Sequence, residues 1–196
     1  MNFSIGDGVD GDLCVALSHE FFRCDDAFEA FEKVRISLKQ DRNNKRLRYK
    51  AYNHYADFLH HYYEFMIGCY RRDYANTKDP DHKEKDAYIM HHANRVLRNR
   101  REDIRRGIPD ALNLNRFEYP ETAPSEFASS FRRYRNIVGG HTNYERSEKF
   151  RFSDFYKKYH KYVCIMYLES LSWWGRHKLE YPYLKEMSDF AECIID

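Results

Sequence analysis

A Cys-x-x-Cys pair is missing from this chain, as are an apolar run of bilayer length, a basic-then-apolar amino terminus and a large excess of either charge. Each gap removes a class of protein. The five cysteines, Cys14, Cys24, Cys69, Cys164 and Cys193, are odd in number and widely spaced. That argues against a disulfide framework and for reduced thiols in a cytoplasmic protein. Tyr162 to Leu168 is among the longest apolar runs, far short of a membrane span, and Met1 to Gly8 carries no signal-peptide pattern, so a soluble, untargeted protein is expected. With 33 Lys and Arg against 31 Asp and Glu, the net charge is +2. This excludes both a polyanion mimic and a uniformly basic nucleic-acid coat, and any nucleic-acid binding must be local. Convincing strands, internal repeats and low-complexity tracts are also absent. The length of 196 residues suits one domain with a sizeable core.

What the chain does have is aromatic side chains at helical spacing: 17 Tyr, 14 Phe and 2 Trp. Most tyrosines fit a helical core and rim, with hydroxyls reaching water, better than a surface for stacking on bases. Residues 1–12, rich in Gly and Asp, read as a loose leader. From Leu17 through Phe21, Cys24, Phe28, Phe31, Val34 and Leu38 a three-four spacing predicts one amphipathic helix, broken by Gln40 to Asn44. A second helix is predicted over about Lys45 to Asp73. Asp79-Pro80 is a start signal, Asp as N-cap and Pro in the first turn, for a third helix running to Gly107 and rich in arginine at its end. Ile108 to Ala123 reads as a connecting loop. Pro124 opens a fourth helix striped by Phe127, Phe131, Tyr134 and Val138, with Arg135 at the edge of the stripe. Ser153 with Asp154 caps a fifth helix through Trp173, and a short sixth follows Pro182. The expected fold is all-α, an antiparallel bundle of five to six helices.

Two arginine–histidine pairs have the same separation, Arg48/His54 and Arg135/His141. The first lies in an uninterrupted helical pattern, where six residues at about 100° each turn the side chains about 120° apart. The second is interrupted by Gly139-Gly140, which permits positive φ and lets the chain bring His141 back beside the last helical turn. An arginine and a histidine can then share one pocket.

Arg135, the polar Asn136 after it, and His141 resemble the Arg-polar-x(3–5)-His signature of the HEPN superfamily. Its members are all-α and are often metal-independent endoribonucleases of toxin, phage-abortive or CRISPR-linked systems. The resemblance implies a HEPN-like fold and RNA cleavage by attack of the 2′-hydroxyl on the neighbouring phosphate, leaving a 2′,3′-cyclic phosphate and a 5′-hydroxyl. His141 would be the acid/base, since an imidazole titrates near neutral pH. Arg135 would hold phosphate oxygens through paired hydrogen bonds, and Asn136 would orient the pocket. No metal or other cofactor is implied. Family members pair two such motifs across a homodimer, so a composite cleft built from both copies is expected. A protein antitoxin is a possible further partner.

Arg132, Arg133 and Tyr144, with Arg105 and Arg106 at the end of the third helix, are candidate RNA contacts. A solvated helix C-terminus explains the arginine run equally well, because cations are favoured there by the helix dipole. His54, Asp57, His61 and Glu64 on the second helix are candidates for lining the cleft. The spacing Asp57-x-x-His60 and the pairs His60-His61 and His91-His92 suggest a metal site, but a di-metal bundle needs several such inward pairs. Two further functions fit the same sequence: a non-catalytic module binding RNA or a nucleotide, and a helical interaction protein of antitoxin or immunity type.

Overall fold

Asp7 starts the first helix: its carboxylate accepts from the Asp10 amide, and the chain then stays helical for 33 residues as α1 (Gly8–Gln40). The computed structural model describes residues 1–109, 119–138, 151–174 and 185–195. The loose leader is therefore corrected from residue 8 onward. Residues 1–3 also pair with the segment after the second helix, through Phe3 N–H to Ala75 carbonyl and Thr77 N–H to Met1 carbonyl at 3.0 and 2.9 Å. The buried Asp10 takes two hydrogen bonds from Arg72, at 2.8 and 3.3 Å, which fastens the start of α1 to the end of α2.

The second helix, α2 (Lys45–Asp73), has Asn44 as its cap, whose side chain accepts from the Leu47 amide at 3.1 Å. The four-residue turn before it folds α1 and α2 antiparallel. They approach closely at Gly68, where an added Cβ would come within 2.5 Å of Leu17 Cδ2. A third helix, α3 (His82–Arg105), follows. Its cap is Asp81, reciprocally bonded with Glu84 in a capping box. Asp79, expected to cap, instead bridges Arg71 and Lys85 at 2.9 and 2.8 Å. Two ion pairs hold it, so it has no role at the helix start.

Both α2 and α3 end in the same hydrogen-bond pattern. Asn76 N–H reaches the Arg71 carbonyl and Ala75 N–H the Arg72 carbonyl; Ile108 reaches Asp103 and Gly107 reaches Ile104. This is the Schellman motif, which needs a left-handed residue at the turn. Gly107 supplies it at φ 78, whereas at α2 the position is Ala75, at φ 47.

Three further helices are α4 (Phe127–Val138), α5 (Phe152–Trp173) and α6 (Lys185–Ile195). Ser153 and Asp154 lie inside the first turn of α5, and no side chain caps that helix. The described residues form an all-α bundle without strands, and their only β-type pairing is a single bridge between Asn2 and Asn76. One apolar cluster joins α1 to α5, centred on Phe21, Phe58, Tyr62, Phe131, Phe155 and Tyr167. Two of its buried hydroxyls are satisfied internally: that of Tyr62 meets Ser170 at 3.2 Å and that of Tyr167 donates to Asp25. The cysteines are all free thiols. No described helix is long and apolar enough to cross a membrane.

Candidate functional site

Packing α4 across α2 and the first turns of α3 leaves a cleft of about 370 Å³ beside Arg135. The i, i+4, i+8 row Tyr63, Ile67, Arg71 on α2 forms its floor, with Glu64 alongside. His82 and Lys85 enter from the first turn of α3, and Arg132, Arg135 and Asn136 from α4. Arg71, Lys85, Arg132 and Arg135 outnumber the lining carboxylates, Glu64 and Asp79.

Each arginine is tethered. Arg135 pairs with Glu64 through one terminal nitrogen, donates from the other to the Asn136 side-chain oxygen at 2.9 Å, and lies 5.6 Å from the Tyr63 ring centroid. Arg132 makes a two-pronged pair with Asp86, both bonds at 2.9 Å. The charge of Arg132 is reinforced by this bond, which raises its pKa. Lys85 holds the Asp79 carboxyl below its ordinary range, with Arg71 contributing as well.

Three polar atoms are left over. Arg135 Nε, Arg71 Nε and the Tyr63 hydroxyl are buried without a hydrogen-bond partner among the described residues. Orphaned buried donors are costly, and three of them belong to residues lining this one cleft. Burial raises the pKa of the Tyr63 hydroxyl, and the nearby Asp86 adds to the effect, so it stays a neutral donor. His60, one turn before Glu64 on α2, has its own buried, unpartnered Nδ1. Its pKa is lowered, first by burial and then by the Arg135 charge, so the ring is neutral at physiological pH.

The sequence-derived candidates divide accordingly. Arg132, Arg135, Asn136 and Glu64 meet in the cleft. His141 and Tyr144, together with the paired glycines, lie outside the described residues. Arg133 is exposed on α4 and does not line the cleft. The expected cleft role of the other α2 residues is corrected. His61 turns toward α1 and bonds Glu20 at 2.8 Å, Asp57 is exposed on another face of α2, and His54 does not line the cleft. Arg105 and Arg106 both pair with Glu102, at 2.7 and 3.0 Å. They sit about 29 Å along α3 from Asp86 at the helical rise of ~1.5 Å per residue, too far to join Arg135. No group of three or more metal-ligating side chains converges among the described residues.

Tyr63, Arg71, His82 and Lys85 were not anticipated. The helix that carries Tyr63, Ile67 and Arg71 was legible, but only the crossing of α4 shows that this row faces Arg135.

No known family model, curated protein or solved structure matches this chain. The chemistry of the cleft rests on its own residues and on the quoted Arg-Asn-x(4)-His motif.

Proposed function

We propose that the chain is a metal-independent endoribonuclease of HEPN-like type, with Arg135 as phosphate ligand and His141 as proton carrier. The observation that carries the reading is the Arg135 guanidinium, held by Glu64 and Asn136 at a cationic cleft with its Nε unpartnered. A phosphodiester in the cleft would accept from Arg135 and the Tyr63 hydroxyl, while Arg71 and Lys85 offset its charge. Asn136 positions the guanidinium and does not itself need to touch the reacting atoms.

In the reaction, a base takes the proton of the ribose 2′-hydroxyl, whose oxygen attacks the adjacent phosphorus. The bond to the 5′-oxygen breaks as an acid protonates it. The products are a 2′,3′-cyclic phosphate and a 5′-hydroxyl, with no water consumed. His141 fits both proton steps by its ordinary titration range. A homodimer bringing two such motifs together, and restraint by a protein antitoxin, belong to the same proposal.

The test is cleavage of single-stranded RNA by the purified protein with and without EDTA. Cleavage should survive the chelator and leave cyclic-phosphate ends. Arg135→Ala and His141→Ala should each lower it by about 10²–10⁴-fold, and either should relieve growth inhibition in an expressing host. Unchanged cleavage in both variants rules the proposal out. A second reading, a module that binds RNA or a nucleotide without cutting it, is favoured by the carboxylate partners of Arg71, Arg132 and Arg135. It predicts salt-dependent RNA binding with no cleavage in the wild-type protein.

A further inference from the structure

On the side of α2 and α3 away from the α4 crossing lies a second cleft, of about 550 Å³, within the range of small-molecule sites. Tyr70 and Tyr74 from the end of α2 and Tyr88 from α3 form one wall. The Tyr70 and Tyr74 rings pack at 4.5 Å between centroids, and Tyr88 meets Tyr70 edge-on at 5.3 Å. Tyr70 thus covers one face of Tyr74 and leaves no cage between the rings. Tyr74 is nevertheless 64% exposed, so much of this cleft-lining residue remains open to a ligand.

His91, His92 and Arg95 continue the lining along the same face of α3 as Tyr88. Arg95 makes no ion pair with a carboxylate among the described residues; its one hydrogen bond runs to His92 Nδ1 at 2.8 Å. Burial holds the His92 pKa down at about 4, with the Arg95 charge contributing. The imidazole is therefore a neutral acceptor that orients the guanidinium without cancelling its charge, and further N–H donors remain available. The two carboxylates of the cleft are otherwise engaged: Asp73 accepts from the Tyr88 hydroxyl at 2.7 Å, and Glu84 closes the α3 capping box. His91 and Arg95, four residues apart, are neighbours on one exposed helical face.

An exposed aromatic ring and an oriented cation with no carboxylate partner among the described residues, both lining one cleft, match a base joined through ribose to phosphate. We infer that this cleft binds a nucleotide, its base stacked on Tyr74 and its phosphate held by Arg95 with His91. The nucleotide is either free or part of a single RNA strand; both present the same base and phosphate.

Calorimetric titration of the full chain with AMP, GMP and a short single-stranded RNA distinguishes them. Saturable binding of a mononucleotide marks a free-nucleotide site, and binding of the oligonucleotide alone marks a strand site. In either case Tyr74→Ala should weaken binding by about five- to hundredfold, the loss of one base stack, and Tyr74→Phe should not. Arg95→Gln should weaken it at least about tenfold, with Arg95→Lys retaining part of the affinity. Absence of saturable binding for all three ligands, or binding indifferent to both Tyr74→Ala and Arg95→Gln, overturns the inference. The inference is independent of the ribonuclease proposal, and its readout is binding, so loss of cleavage in Arg135→Ala leaves it standing.

Discussion

At the scale of single residues, Glu64 determines how much of the Arg135 charge a ligand meets. Both side chains are about 70% buried, and such a partly solvated pair contributes ~0.2–1 kcal/mol. Glu64→Gln removes the competing carboxylate and keeps the side chain's shape. RNA should then bind about 1.5- to 5-fold more tightly, with a steeper dependence on salt. Filter binding across a salt series checks this, and weaker binding would mean that Glu64 serves to place Arg135 for the ligand. The sequence marked Arg135 at the edge of an apolar stripe, and the structure puts it at the margin of core and cleft. It gave no sign that Glu64 would be the partner while His61 turned away toward Glu20. Those two lie three residues apart on α2, and which one faces α4 depends on the crossing of helices far apart in sequence.

At the scale of elements, the two Schellman ends offer a direct comparison. α3 finishes on glycine at the left-handed position and α2 on Ala75. A Cβ in that conformation costs ~1–2 kcal/mol, part of which glycine loses again through the entropy of the unfolded chain. Ala75→Gly should stabilise the protein by about 0.5–1 kcal/mol, raising Tm by roughly 1–4 °C. A scanning-calorimetry Tm that falls would show that the alanine conformation is unstrained.

Element boundaries were legible wherever a cap stood at the break in the apolar pattern. Asn44 supplies such a cap, and the bounds of α2 agree with the expectation. They were misread where glycine hid a helix start: Gly8 and Gly11 disguised the first turns of α1, which Asp7 caps and the Asp10–Arg72 pair secures. At α3 an earlier Asp-Pro drew attention from the Asp81 capping box. The contents of the cleft were less legible than its elements, since Tyr63, Arg71 and Lys85 acquire their role only through packing.

For the molecule as a whole, two imidazoles contribute strongly to the response to acid. Burial lowers the pKa values of His92 and of His160 to about 4, against about 6.5 in the unfolded chain. Protonation therefore favours unfolding. Stability is undiminished above about pH 6.5 and falls as the pH drops from there toward 4, by up to ~1.4 kcal/mol per pH unit for each histidine. Urea midpoints at pH 7.5 and pH 5 should differ by a loss on the order of 2 kcal/mol per histidine. Equal midpoints would mean that both rings are hydrated in the folded state. A different whole-molecule property follows from α2, a single rod carrying Tyr63, Glu64 and Arg71 along one cleft and Tyr70, Asp73 and Tyr74 along the other. Two ligands seated on one rod obey thermodynamic reciprocity: whatever factor a mononucleotide imposes on the affinity for RNA, RNA must impose on the affinity for the mononucleotide. Four binding constants measured around that square must close, and the ratio of opposite sides gives the free energy transmitted through the helix.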